Sequence, residues 1–178
     1  TILQYLKKKK QQGICNNIYI YTNNQGPKEW ALFIKQYFEY KLNYPLFDKV
    51  IHAYKANNIQ VEKNRTTHNK TIGDFFKCTN VTKNAQICFL DDQYHPHMAH
   101  DNVVYINLKP YSYTLPFKEM TLRFMKKYNI TDPRFFEALI KNCSLYNFNL
   151  YKKSETEQNV DKAVGKQVYK HLREFLKK

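Results

Sequence analysis

An apolar run, Ala85-Gln86-Ile87-Cys88-Phe89-Leu90, stops on two adjacent carboxylates, Asp91 and Asp92, and this junction constrains the fold more than any other part of the chain. A buried strand that ends this way carries negative charge to the edge of a sheet, where a divalent cation can sit. Upstream, Ile18-Tyr19-Ile20-Tyr21 ends as abruptly in Thr22-Asn23-Asn24-Gln25-Gly26-Pro27. Parallel neighbours would bring both polar ends to one patch, and open parallel sheets bind ligands at such carboxyl ends.

The flanking pattern supports this reading. Ile2, Leu3 and Leu6 precede the Lys7–Lys10 run and Gly13, which reads as the end of a helix whose lysines complement its dipole. Pro27 suits a helix start, and Trp30, Phe33, Ile34, Tyr37, Phe38 and Leu42 recur at helical spacing over 28–42. That broad apolar face reads as core. Leu46–Ala53 reads as a second strand, 54–70 as a polar hairpin or loop, 71–78 as a short helix, and Val103–Leu108 as a strand closed by Pro110. Strands alternating with helices predict an α/β fold with parallel neighbours. Beyond Pro116, the stretches 117–128, 133–143 and 160–177 are helical in period. The chain therefore divides into an α/β core over 1–115 and a helical C-terminal extension over 116–178. The polar stretch 152–159 reads as a mobile linker. Because the chain opens on Thr1 within a helical pattern, a longer protein is the expectation.

With 178 residues, 43% of them apolar, the chain can bury a core. Its net charge of +14 favours anionic partners: nucleic acid, phosphorylated substrates or acidic protein surfaces. A lysine-, asparagine- and tyrosine-rich proteome produces the same balance without any such partner. Cys15, Cys78, Cys88 and Cys143 show no CxxC spacing, which argues against a zinc ribbon. Cys15 and Cys88 read as core-lining thiols in a reducing, intracellular compartment, cytoplasm or nucleus. No apolar stretch approaches the ~18–20 residues that span a bilayer.

A hydroxyl followed by backbone amides near a helix start binds phosphate oxygens, which singles out Thr22 and Asn23 ahead of Pro27. Paired carboxylates suit Mg²⁺, a hard ion that takes oxygen ligands. A lysine would balance phosphate and carboxylates. Lys55 and Lys70 compete, and Lys70, just before the helix that feeds the Asp91 strand, is better placed.

Thr22 after a strand, Lys70 before a helix and Asp91-Asp92 after the next strand resemble motifs II, III and IV of haloacid dehalogenase (HAD)-like phosphatases. Tyr21-Thr22-Asn23-Asn24-Gln25-Gly26 is similar to the threonine motif of DNA 3′-phosphatases and histidinol-phosphate phosphatases. Leu90-Asp91-Asp92 resembles the corresponding strand end of small phosphatases acting on phosphorylated C-terminal tails. In composition the chain also looks like HAD-like proteins of large DNA viruses, which adds a virion to the compartments. The resemblance covers roughly residues 1–112. It implies a Rossmann-like parallel sheet flanked by helices and Mg²⁺-dependent phosphotransfer through an aspartyl-phosphate. Thr22, with Asn23, would bind the phosphoryl group and Lys70 would neutralise it; Asp92 would reach the metal, with Asp91 supporting. The family's nucleophile, an Asp-x-Asp strand preceding all of these, has no counterpart, since no aspartate occurs before Asp48. A catalytically inactive HAD-like structural or binding protein, of a viral particle or nucleoprotein assembly, is therefore the alternative expectation.

Two further patterns compete. His95, His97 and His100 lie within six residues and, with Asp91 or Asp92, contain the ligand types of a transition-metal site. Closely spaced loop histidines are more often simply solvent-exposed. The 15 Tyr and 12 Phe beside lysines suit stacking on single-stranded nucleic acid. Yet Phe33, Tyr37 and Phe38 read as core, while Tyr111 and Tyr113 border the site.

Overall fold

The structure, a computed structural model, describes residues 1–145 and 152–177. Residues 146–151 and 178 of the expected extension lie outside the described residues. The element order is α1 (Ile2–Gln11), β1 (Tyr19–Tyr21), α2 (Lys28–Leu42), β2 (Lys49–Ile51), β3 (Lys55–Ala56), β4 (Ile59–Gln60), α3 (Ile72–Thr79), β5 (Ile87–Asp91), β6 (Val103–Asn107), α4 (Phe117–Tyr128), α5 (Pro133–Ser144) and α6 (Glu155–Phe175). The fold is mixed α/β, as the alternation of periods requires.

Helix ends follow local chemistry. Thr1 closes a capping box with Gln4 at the start of α1. The helices α2, α3 and α4 each stop on an asparagine in the left-handed conformation, Asn43, Asn80 and Asn129, with φ of 46°, 56° and 53°. Asparagine is the non-glycine residue that tolerates this position best. It takes glycine's place at these three ends, whereas α1 is followed by a left-handed glycine, Gly13, with φ of 69°.

Among the described residues the strands form three two-stranded sheets. β1 pairs parallel with β2, Ile20 opposite Val50. β5 pairs parallel with β6, Phe89 opposite Tyr105 and Asp91 opposite Asn107. β3 and β4 form the small antiparallel hairpin in the 54–70 stretch. Among the described residues no sheet ladder joins β1 to β5, so the parallel strands stand as two pairs. One helix serves both. Phe75 and Cys78 of α3, with Ile51 of β2, make a core against which Tyr19 and Tyr21 of β1 and Ile87 of β5 pack.

The chain divides into two compact units: Thr1–Lys109 with Val164–Lys178, and Pro110–Ala163. In the first, Tyr5 of α1 meets Tyr169 of α6 edge-on at 5.0 Å. In the second, α4 and α5 pack through stacked Phe124 and Phe135, centroids 6.0 Å apart.

Two expectations are overturned. Most of the stretch 152–159 is helix, because α6 begins at Glu155. Ser154 Oγ accepts from the Glu157 amide and the Glu157 carboxylate accepts from the Ser154 amide, a capping box that starts the helix inside a polar stretch. The aromatic face of α2 is also not core. Ala31 is its only fully buried residue, whereas Trp30, Phe33 and Tyr37 are 59%, 63% and 57% exposed.

Candidate functional site

The end of β1 is pinned before the loop begins. The Thr22 amide donates to Ile51 O at 3.0 Å, continuing the β1–β2 pairing one residue further. The loop then folds on itself: Thr22 Oγ1 accepts from the Asn24 amide at 3.0 Å and Asn24 Oδ1 from the Gly26 amide at 2.7 Å. A Cβ on Gly26 would lie 2.9 Å from that same Asn24 oxygen, so a larger residue there would displace the Asn24 side chain from this turn. Asn23 Oδ1 is buried without a hydrogen-bond partner. Rotating the amide by half a turn would present its NH₂ group there instead, the polarity a phosphate oxygen needs.

Arg65 organises the polar end of the unit. It is 1% exposed, and its two terminal nitrogens donate to four carbonyls: Thr22, His52, His68 and Asn69, at 2.9–3.2 Å. The guanidinium lies 4.9 Å from the Tyr21 ring centroid. One rigid fork thus ties the ends of β1 and β2 to the backbone immediately before Lys70. Asp74, buried in α3, accepts from both the amide and hydroxyl of Thr66 at 2.9 Å and fixes the same loop. The Thr71 amide reaches Tyr21 Oη at 3.3 Å. Burial, opposed by Arg65, pushes the Tyr21 phenol up to about 12.

Lys70 therefore has little freedom. Its Nζ lies 2.5 Å from Asp91 Oδ2, both side chains 9% exposed. The same ammonium sits 5.6 Å from the Tyr21 ring and 5.9 Å from the Phe89 ring, between β1 and β5. Asp91 Oδ1 accepts from the Gln93 amide at 2.9 Å, with His95 Nε2 3.4 Å away. Burial alone would raise the Asp91 carboxyl; the Lys70 hydrogen bond, the Gln93 amide and the Lys70 charge outweigh it and hold the group below its ordinary value.

The structure thus joins Lys70 to Asp91 and sets the pair beside the end of β1, where Arg65 holds the Thr22 carbonyl. Asp92 is solvent-exposed. Lys55, in β3, lies 5.1 Å over the ring of Tyr54. The three histidines separate. His95 is buried, its amide donating to Tyr105 Oη at 2.9 Å, whereas His97 and His100 are exposed. Among the described residues no group of three or more His, Cys, Asp or Glu side chains comes together as a metal-ligand set. Arg65 escapes a reading based on periodicity. Its signal is rarity: it is the only arginine in the first 122 residues of a lysine-rich chain.

Comparison with protein-family models, with curated proteins and with solved structures gives no match.

Proposed function

We propose that the unit built from Thr1–Lys109 and Val164–Lys178 is a HAD-like phosphotransfer domain that acts on phosphomonoesters with Mg²⁺. The Lys70–Asp91 pair carries this reading. A buried ammonium is held against a strand-end carboxylate beside a threonine that follows a second parallel strand. That combination suits a dianionic phosphoryl group: Lys70 balances charge, and the Thr22 hydroxyl, which accepts from the Asn24 amide, keeps its proton to donate.

The strand arrangement supports the same reading. β1–β2 and β5–β6 are parallel pairs that share α3, and Lys70 spans the interval between Tyr21 and Phe89. A single Rossmann-like sheet results if one further parallel strand lies between β1 and β5. A strand there would run up to the Lys70–Asp91 pair, the place an Asp-x-Asp nucleophile needs. No aspartate precedes Asp48, so the covalent step requires an aspartate from another stretch of polypeptide.

Mg²⁺ prefers the hard oxygens that Asp91 and Asp92 offer, and when bound it would neutralise phosphoryl charge. Lys70 and the Gln93 amide already occupy the two Asp91 oxygens, so exposed Asp92 is the carboxylate available to the ion. Turnover of p-nitrophenyl phosphate with Mg²⁺ by the full-length protein, including the stretch that supplies the nucleophilic aspartate, tests the proposal. Loss in Lys70→Ala and Asp92→Asn supports it; unchanged turnover in both removes these residues from the mechanism. The missing Asp-x-Asp motivates a second reading, an inactive HAD-like binding module. Calorimetric phosphate binding that needs Lys70, without turnover, would identify it.

A further inference from the structure

We infer that the exposed face of α2 binds single-stranded nucleic acid. Trp30, Phe33, Ile34, Tyr37 and Lys41 follow one another at helical spacing, and all are exposed. Ala31, Lys35, Phe38, Glu39 and Leu42, on an adjoining stripe of the helix, are buried or half-buried. Contiguous exposed rings of this kind mark an interaction surface.

The chemistry selects the partner. Three of the four apolar groups are flat rings, and stacking on such a ring is worth ~1–3 kcal/mol per base in any sequence. A rise of ~1.5 Å per residue places Phe33 ~4.5 Å along the axis from Trp30, and Tyr37 ~6 Å further. These intervals exceed the ~3.4 Å step of a stacked strand and suit bases that are partly splayed. Charge points the same way. Lys35 holds Glu39 at 2.6 Å, which leaves Lys28 and Lys41 against Glu29 on this helix. Lys41 Nζ lies 5.7 Å over the Tyr37 ring. Lys7 donates to Leu42 O at 2.8 Å, which brings the lysine run of α1 beside the carboxyl end of α2. A second copy would bring another +14 of charge to the face, whereas a polyphosphate backbone neutralises it.

The inference also names a substrate class, and only that extension rests on the phosphotransfer reading. The amino end of α2 follows the Thr22–Pro27 loop directly, so a strand lying along the helix leads its terminal phosphate toward Thr22 and Lys70.

The sole tryptophan of the chain lies on this surface, so its fluorescence reports directly on stacking. The 178-residue protein is titrated with fluorescein-labelled dT12 lacking a terminal phosphomonoester, without Mg²⁺ and at low salt. Anisotropy and Trp30 emission are both recorded. The expected result is saturable binding with matching quenching of Trp30. Phe33→Ser and Tyr37→Ser should each weaken affinity at least about fivefold with unchanged circular-dichroism melting. Absence of binding overturns the inference. So does binding that neither quenches Trp30 nor responds to the two substitutions, because the strand then lies elsewhere. A concentration-dependent blue shift of Trp30 with dimer in sedimentation also overturns it, since a second copy then covers the face. Phosphate hydrolysis plays no part in these readouts, so loss of the phosphotransfer reading leaves them interpretable.

Discussion

Replacing Lys70 by methionine tests whether the Lys70–Asp91 contact organises the site. The substitution keeps most of the side-chain volume and removes the ammonium, leaving a carboxylate with 9% of its side chain exposed. Breaking a buried pair from one side costs about 3–5 kcal/mol. The Gln93 amide still satisfies Oδ1, so the lower end applies. For a unit of this size that is a fall in Tm of about 10 °C.

The pH dependence separates this cause from lost packing. In the parent, Asp91 is held below its ordinary value because the Lys70 and Gln93 interactions outweigh burial. A depressed folded pKa gives stability that is present above the unfolded value, near ~3.9, and lost as pH falls through the folded one. In Lys70→Met, burial is no longer opposed by the ammonium, so the carboxyl shifts upward and carries its penalty at neutral pH. Acidification then protonates it and shrinks the deficit. Urea unfolding followed by circular dichroism at about pH 7 and about pH 4.5 reads this directly. Adding Asp91→Asn to Lys70→Met should recover a large part of the loss. A deficit below about 1 kcal/mol, an equal deficit at both pH values, or a double variant no more stable than the single one would each refute the reasoning.

Arg65→Lys should cost about 2–3 kcal/mol, because a point ammonium cannot span the four carbonyls of Thr22, His52, His68 and Asn69; thermal melting measures it. Ser154→Ala should lower stability by about 1 kcal/mol by opening the box with Glu157, read as earlier loss of helical ellipticity. Burial pushes the Cys78 thiol up to about 11 and that of Cys88 to about 12, so both should fall in the slow phase of reaction with a disulfide reagent at about pH 8. Mass-mapped labelling that places either in the fast phase would contradict this.

Element type was legible wherever a stretch carried a clear period. The helical spacing over 28–42 and 117–128 coincides with α2 and α4. What covers a face was not legible. Period shows that Trp30, Phe33 and Tyr37 share one side of a helix, but burial depends on whether another element reaches that side, which is tertiary information. The α6 start was missed for a different reason. Mean polarity over 152–159 suggests a linker, yet Ser154-Glu155-Thr156-Glu157 satisfies the helix-start rule residue by residue. Local hydrogen-bonding chemistry outweighs average hydropathy there. The Arg65 fork was invisible because its four acceptors are backbone carbonyls, which no residue pattern records.

The neighbouring carboxylates show how much a two-residue period contains when it is carried to the end of a strand. Side chains alternate across a strand, so Ile87, Phe89 and Asp91 share a face. Ile87 packs with the α3 core and Phe89 is buried, which carries that inward face on to Asp91. Lys70 enters from the segment before α3, on the same side, and meets Asp91 rather than Asp92. Asp92 follows the last strand residue and stays in solvent. Adjacency in sequence made the two acids look interchangeable, whereas alternation divides their work. The inner one neutralises a lysine, and the outer one stays exposed to solvent.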